Sequence, residues 1–265
     1  SDNMLVNIGP QHPATHGVLR LVCELDGETV VRCIPHIGYL HSSFEKLGEY
    51  RSWNQVVPLT DRMDYLAPLI YNIAYVMSVE AMMGIEVTER CKLTRVVMME
   101  LDRIFGHLLW LGTFAMDIGA FTPFLHLLRD REKVLDLFEW TCGARLLYNY
   151  NWVGGVSHDL PDGFTRAARD LLREFDAVTL PELIDLIIGN KIFIKRLADV
   201  GVCSPELAIS YDLTGPNLRG SGVPRDLRKD TPYLAYADLD FEVPVGIKGD
   251  NYDRYYVRMR EMDES

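Results

Sequence analysis

The residue pattern predicts a mainly α fold with small β elements: a helical bundle, preceded by an N-terminal β-hairpin and followed by a short β region near the C-terminus. Three observations carry this reading. Apolar residues recur at helical spacing through most of residues 60–199. Strict alternation flanks Asp26-Gly27 near the start. The last third turns rich in glycine, proline and arginine before Tyr233 to Val245, a run that reads as extended. Residues 1–40 are assigned to the hairpin and a histidine loop, 41–200 to the bundle and 201–265 to a loop, β and helix region, together one structural unit.

The elements follow in order. Val18 to Leu25 alternates, with Leu19, Leu21, Cys23 and Leu25 on one face; Asp26-Gly27 turns, and Thr29 to Ile34 returns. Ahead of it, Gly9-Pro10-Gln11-His12-Pro13-Ala14-Thr15-His16-Gly17 holds two prolines between glycines and reads as a stiff, non-repetitive loop. Ser42 with Glu45 has the spacing of a capping box, which predicts a helix to about Val57, before Pro58. Thr60 is placed to cap the next helix, whose apolar positions run from Met63 to Ala81 and which Gly84 ends. A longer helix from about Thr88 to Asp117 is apolar nearly all round, as expected of the centre of a bundle. Thr122-Pro123 starts a fourth, drawn to about Tyr150. After a loop at Gly154-Gly155, two helices are predicted at about 164–176 and 181–199, and a last one at 250–262.

Composition narrows the function. The chain has 265 residues, 48% hydrophobic and 25% charged, enough to bury a sizeable core. Its 38 acids against 27 bases give a formal charge of −11, which repels phosphate and argues against nucleic-acid binding. The five cysteines include no C-x-x-C, an odd and widely spaced set that reads as reduced thiols rather than a disulfide framework or metal site. No apolar stretch reaches the roughly 20 residues of a membrane span, so membrane association is expected through a partner. The start reads as processed or cut, and the last residues read as a helix without a stop signal.

Candidate chemistry sits at three places. His12 and His16 form an H-x-x-x-H, but Pro13 forbids a regular helix and a third ligand is missing, so a metal is not expected; the loop can instead present an imidazole as proton donor near neutral pH. Hydrogen bonds that merely fix the loop are the plainer alternative. Arg62-Met63-Asp64-Tyr65, read as a helix start, offers a phenol that can donate to a carbonyl and pass on a proton, or simply pack. Asp117 closes an apolar helix at the end that is electrostatically wrong for an acid; if buried it needs a partner, and a histidine would be held protonated by it. Glu100 and His107, in the same helix, are assigned structural hydrogen bonds. The Thr214–Gly222 glycine loop lacks Gly-Lys-Ser/Thr and a strand-to-helix setting, so a nucleotide site is rejected.

Seven runs then resemble one family, in its order and at near its spacing: Gly9 to Gly17, Pro35-His36-Ile37-Gly38-Tyr39-Leu40-His41, Arg62-Met63-Asp64-Tyr65, Asp117-Ile118-Gly119-Ala120, Val153-Gly154-Gly155-Val156, Gly215 to Gly222 and Leu227-Arg228-Lys229. The family is the quinone-site core subunit of respiratory complex I, the 49-kDa or D-type subunit, itself a relative of the nickel–iron hydrogenase large subunit that has lost the metal cysteines. By this resemblance the chain lacks the family's C-terminal part and would be inactive alone. His16 and Tyr65 would hydrogen-bond the two ends of a quinone headgroup, menaquinone or ubiquinone. Asp117 would pair with His16, and Arg62 and His12 would line the cofactor side, Arg62 close to an iron–sulfur cluster held by a small partner subunit.

The same likeness implies a place in a cation-pumping NADH:quinone oxidoreductase. The partners would be that iron–sulfur subunit, the 30-kDa-type subunit and the membrane arm, with the chain peripheral on the cytoplasmic face of the bacterial inner membrane. One departure bears on chemistry: Leu147 stands where many family members carry a histidine near the cluster, which favours a lower-potential acceptor such as menaquinone. A nickel-bearing hydrogenase subunit is the first rival, opposed by the missing cysteine pair expected near Arg62–Leu66; a non-catalytic helical scaffold is the second.

Overall fold

The computed structural model describes residues 3–265, in two compact units divided between Ser52 and Trp53. The fold is mainly α with small antiparallel sheets.

The first unit is a three-stranded antiparallel sheet, β1 (Met4–Ile8), β2 (Arg20–Asp26) and β3 (Thr29–His36), in the order β1-β2-β3. The expected hairpin is there, turning at Gly27, whose φ of 61° suits a two-residue connection. β1 was not foreseen: five residues between polar neighbours give too short an alternation to stand out. The helix foreseen from Ser42 to Val57 is instead two pieces. α1 (Phe44–Glu49) starts after Ser43, which is in the left-handed region and makes no side-chain cap. It buries no residue and contains Gly48, so nothing repays its extension.

The second unit opens with α2 (Trp53–Thr60), which runs through Pro58 rather than stopping before it. Thr60 is not a cap. It is buried as the last residue of α2, and its hydroxyl donates to the Val57 carbonyl at 2.7 Å. The next helix, α3 (Pro68–Met83), begins at Pro68, where a missing N–H costs nothing, and ends at Gly84 with φ 64° as expected. α4 (Glu89–Asp117) matches its expected ends: the Thr88 side chain accepts from Cys91 N–H. It is the central helix, though not uniformly apolar, since Arg95, Glu100 and Asp102 are buried with its Leu, Met and Phe residues.

α5 (Phe121–Cys142) stops well short of Tyr150, because Gly143 takes a left-handed cap at φ 78°. The Gly154-Gly155 loop is a small hairpin of β4 (Asn151–Trp152) and β5 (Gly155–Val156). Next, α6 (Phe164–Glu174) passes through wide π turns and α7 (Leu180–Leu183) without the expected break near 177–180; the break comes at Gly189-Asn190, where Asn190 caps α8 (Lys191–Leu197). Short helices α9 (Pro205–Ser210), α10 (Gly215–Gly220) and α11 (Leu227–Asp230) lead to α12 (Asn251–Glu264), the expected last helix.

The short β region expected from Tyr233 to Val245 is absent: the stretch is one 3-10 turn at Tyr236–Asp238 and irregular chain. Tyr236 and Phe241 both enter the core beside Ile73, Val96 and Met99. Five residues apart, they would lie on opposite faces of a strand, so burying both excludes regular alternation.

Candidate functional site

The histidine loop is built for rigidity. Gln11 N–H donates to the Gly17 carbonyl at 2.6 Å and closes it. Inside, Pro13–Thr15 is a 3-10 turn, and buried Thr15 donates its hydroxyl to the His12 carbonyl at 2.9 Å. Gly9 holds φ 81° with its Cα hard against the chain entering β2: an added Cβ would stand 2.0 Å from the Leu19 carbonyl oxygen. From this frame His12 and His16 are both exposed, His16 in the left-handed region at φ 48°. A 3-10 turn does not stack the two rings as an α-helix would, and among the described residues no cluster of three or more metal-ligating side chains exists.

Arg62 to Tyr65 does not start a helix. It lies in the tight turns joining α2 to α3. Arg62 N–H donates to Leu59 O at 3.1 Å, and its guanidinium reaches back to Pro58 O at 2.6 Å. Asp64 accepts from Leu66 N–H at 3.0 Å, which sets the next bend. Tyr65 is held at that bend with 49% of its surface exposed. The turn rests on α4 where that helix has no side chain: a Cβ on Gly106 would meet Ala67 and Leu66 at 3.5 Å. Asp117 is exposed at the far end of α4. Eleven residues of helix separate it from Gly106, roughly 16 Å along the axis. Arg62 and Tyr65 therefore share one turn, Asp117 lies further down the same helix, and the two histidines belong to the first unit.

Beneath the Arg62 turn lies a buried polar cluster that the residue pattern did not disclose. Asp61 is fully buried, and its carboxylate accepts from Asn149 N–H at 2.6 Å. Burial pushes the Asp61 carboxyl up to about 6, against the opposing pull of that hydrogen bond and of Arg62. Asp102 accepts from Leu69 N–H at 3.0 Å; complete burial raises it well above the usual carboxylate range. Tyr148, also buried, has its phenol raised by burial and then by Asp102. Arg131 stacks over the Phe105 ring at 3.6 Å, and burial lowers its pKa. The cluster ties the Arg62 turn to the stretch bearing Leu147, two residues before Asn149, where the backbone is left-handed at φ 58°. The only local signals were an acid directly before Arg62 and another inside an apolar helix.

A second group surrounds a cavity of about 290 Å³ lined by Arg103, Arg219, Arg225, Asp226, Arg228 and Tyr233 among others. Its arginines are largely committed. Arg219 donates to Glu261 at 2.8 Å, Arg228 to Asp226 at 2.8 Å and to Glu100 at 3.1 Å, and Arg103 to Glu100 at 2.9 Å. Glu261 also bonds His107 Nε2 at 2.8 Å. Burial lowers the His107 pKa in spite of that carboxylate. Glu100 and His107 thus both make the hydrogen bonds expected of them. The Thr214–Gly222 loop forms short α10 with no strand before it, unlike a phosphate cradle. No helix among the described residues is long and apolar enough to cross a membrane.

Known proteins share this sequence over its whole length. Residues 117–265 match the family described as respiratory-chain NADH dehydrogenase, 49 Kd subunit. The D-type subunit of NADH-quinone oxidoreductase from Geotalea uraniireducens is 51% identical over 262 residues, spanning 99% of this chain and 67% of that protein. The D-type subunits of Geobacter sulfurreducens and Bacillus cytotoxicus are 50% and 49% identical, over 99% and 100% of this chain and 67% and 72% of their own lengths.

Proposed function

Because this chain belongs to the family of the 49-kDa subunit of respiratory-chain NADH dehydrogenase, and so is a subunit of an NADH-quinone oxidoreductase, we propose that it forms the quinone-headgroup site beside the terminal iron–sulfur cluster of a partner subunit. Two observations, one within each unit, support this reading: the loop that holds His16 is closed by its own hydrogen bonds, and the α2–α3 turn that holds Tyr65 is pinned by Asp64, each leaving its polar side chain exposed.

Reduction of a quinone to a quinol takes two electrons and two protons. The electrons would come from a cluster held by the partner subunit. Protons come from this chain: the Tyr65 phenol donates to one carbonyl of the headgroup and the His16 imidazolium to the other. In the assembled site Asp117 would pair with His16 and orient the imidazole toward the ring oxygen on which charge builds. Arg62, fixed by the Pro58 carbonyl, turns its positive charge toward the cluster, and His12 completes the loop's polar face. Leu147 offers no titrating ring beside the cluster, so electron arrival is not coupled to proton uptake there. This favours a low-potential acceptor such as menaquinone over ubiquinone.

Electrons enter through other subunits, so the isolated chain does not turn over. Its partners are the small iron–sulfur subunit, the 30-kDa-type subunit and the membrane arm, and it sits peripherally on the cytoplasmic face of the bacterial inner membrane. Charge created around the headgroup biases the membrane arm toward cation translocation.

The test is made in the intact complex. Tyr65→Phe and His16→Ala should each slow quinone reduction by about 100-fold or more, while NADH oxidation by an artificial acceptor is spared. Unchanged quinone turnover in both variants would remove the assignment. Asp117→Asn should act through His16, so its effect should shrink sharply when His16 is already alanine; additive effects would break the pairing.

A further inference from the structure

Two of the five cysteines meet across the first sheet. Cys23, in central strand β2, stands directly opposite Cys33 in edge strand β3. Their sulfurs are 3.7 Å apart. Directly opposed residues of an antiparallel pair have Cα atoms roughly 4.5–5.5 Å apart, inside the range that a disulfide spans. Closing the bond needs side-chain rotation and no movement of the strands. The remaining cysteines, Cys91, Cys142 and Cys203, have no sulfur neighbour among the described residues.

We propose that Cys23 and Cys33 are a reversible oxidation site, which low-molecular-weight disulfides of the oxidised-glutathione class convert to a cross-strand disulfide. This does not depend on the quinone reading.

The unequal exposure of the two thiols sets the order of events. Cys33 is exposed on the edge strand, whereas Cys23 is 4% exposed beneath it. The Cys33 thiolate attacks one sulfur of the oxidant, whose disulfide bond breaks and releases one thiolate; Cys33 is now in a mixed disulfide. The Cys23 sulfur then attacks Cys33 sulfur and expels the second thiolate. One disulfide has been reduced to two thiols, two protein thiols have lost two electrons, and their two protons end on the released thiols. Burial and then the hydrogen bond with Cys33 raise the Cys23 pKa, so the more accessible Cys33 is the first to meet the oxidant. The new bond pins the register of β2 and β3. β2 emerges from the His12–His16 loop, so that loop's exit strand is locked as well.

The purified chain is equilibrated with reduced and oxidised glutathione at graded ratios, quenched with an alkylating reagent and analysed by intact mass and non-reducing peptide mapping. Alkylatable thiols should fall from five to three, with a loss of about 2 Da and a Cys23–Cys33 cross-linked peptide. Reductant should reverse it. Hydrogen exchange in β2 and β3 should slow in the oxidised form. Cys33→Ser should keep Cys23 alkylatable at every ratio. A mixed glutathione disulfide that persists on Cys33, a link between two chains, or five thiols still titrating at the most oxidising ratio would each overturn the proposal.

Discussion

Asp61 shows how far one residue can depart from its ordinary chemistry when the fold closes over it. Beside Arg62 and ahead of exposed turns, it reads as a solvated acid. In the structure it is buried against the Asn149 backbone, and the Asn149 N–H and the Arg62 charge offset its lost hydration. Its folded pKa of about 6 lies above the unfolded value near 4. The folded state therefore holds a proton that the unfolded chain gives up first, and this group's contribution to stability falls as pH rises from about 4 to 6. The gap between the two values sets an upper limit of roughly 3 kcal/mol at neutral pH. Asp61→Asn should thus gain on the wild type as pH rises through that window and hold the gain above it, measured by urea unfolding between pH 4 and 8. A pH-independent difference would mean that folding does not shift the carboxyl's titration. Leu147 is a contrasting case: its identity was visible in the sequence, but its left-handed backbone became apparent only in the fold.

At the scale of elements, two proline-bearing segments show different solutions to the same missing N–H. Pro68 opens α3, where no donor is needed. Pro181 lies inside a continuous helical run, and the turns ahead of it widen: Leu180 N–H bonds the Phe175 carbonyl five residues back, which makes room for the ring. The histidine loop solves a different problem, holding imidazoles out of a regular element without letting them wander. Its tightest point is Gly9, where both the positive φ and the Leu19 carbonyl exclude a side chain. Gly9→Ala should cost about 1–3 kcal/mol of local stability and raise hydrogen exchange at Gln11 and Thr15. Gly27→Ala is a milder control, with positive φ but open space around it. Equal effects from the two would show that the close approach at Leu19 does not matter.

Across the whole second unit, buried ion pairs join segments that are distant in the chain. Arg95 of α4 is fully buried; it donates to Glu80 of α3 at 2.7 Å and to the carbonyls of Trp152 and Gly155 at 3.0 and 2.8 Å. Glu80 in turn accepts from Gly154 N–H at 2.8 Å. Two helices and the β4–β5 hairpin thus meet on one guanidinium, which holds the Val153-Gly154 turn of that hairpin in place. Glu261 does the same for α12, α10 and α4 through Arg219 and His107. Removing one member leaves the other buried and uncompensated, which costs more than the pair contributes. Glu80→Ala should destabilise the chain by about 3–5 kcal/mol, seen as a lower urea midpoint. A loss under about 1 kcal/mol would place the pair in solvent-like surroundings.

The residue pattern by itself determined the mainly α class, the hairpin around Gly27, both ends of α4, the Gly84 end of α3, the last helix and the family. These depend on signals that act within a few residues: a cap hydroxyl, a glycine free to turn left, a period of two or 3.6. Gly143 was such a signal too, masked because the apolar spacing ran on past it toward Tyr150. Tertiary structure alone decided the rest. Tyr233 to Val245 has the residues of a strand but no neighbouring strand to pair with, so its aromatic rings filled the groove along α3 and α4 instead. Asp61, Asp102 and Arg95 carry only faint local marks of burial, because desolvation depends on which distant segments close over a charge, and no spacing along the chain records that.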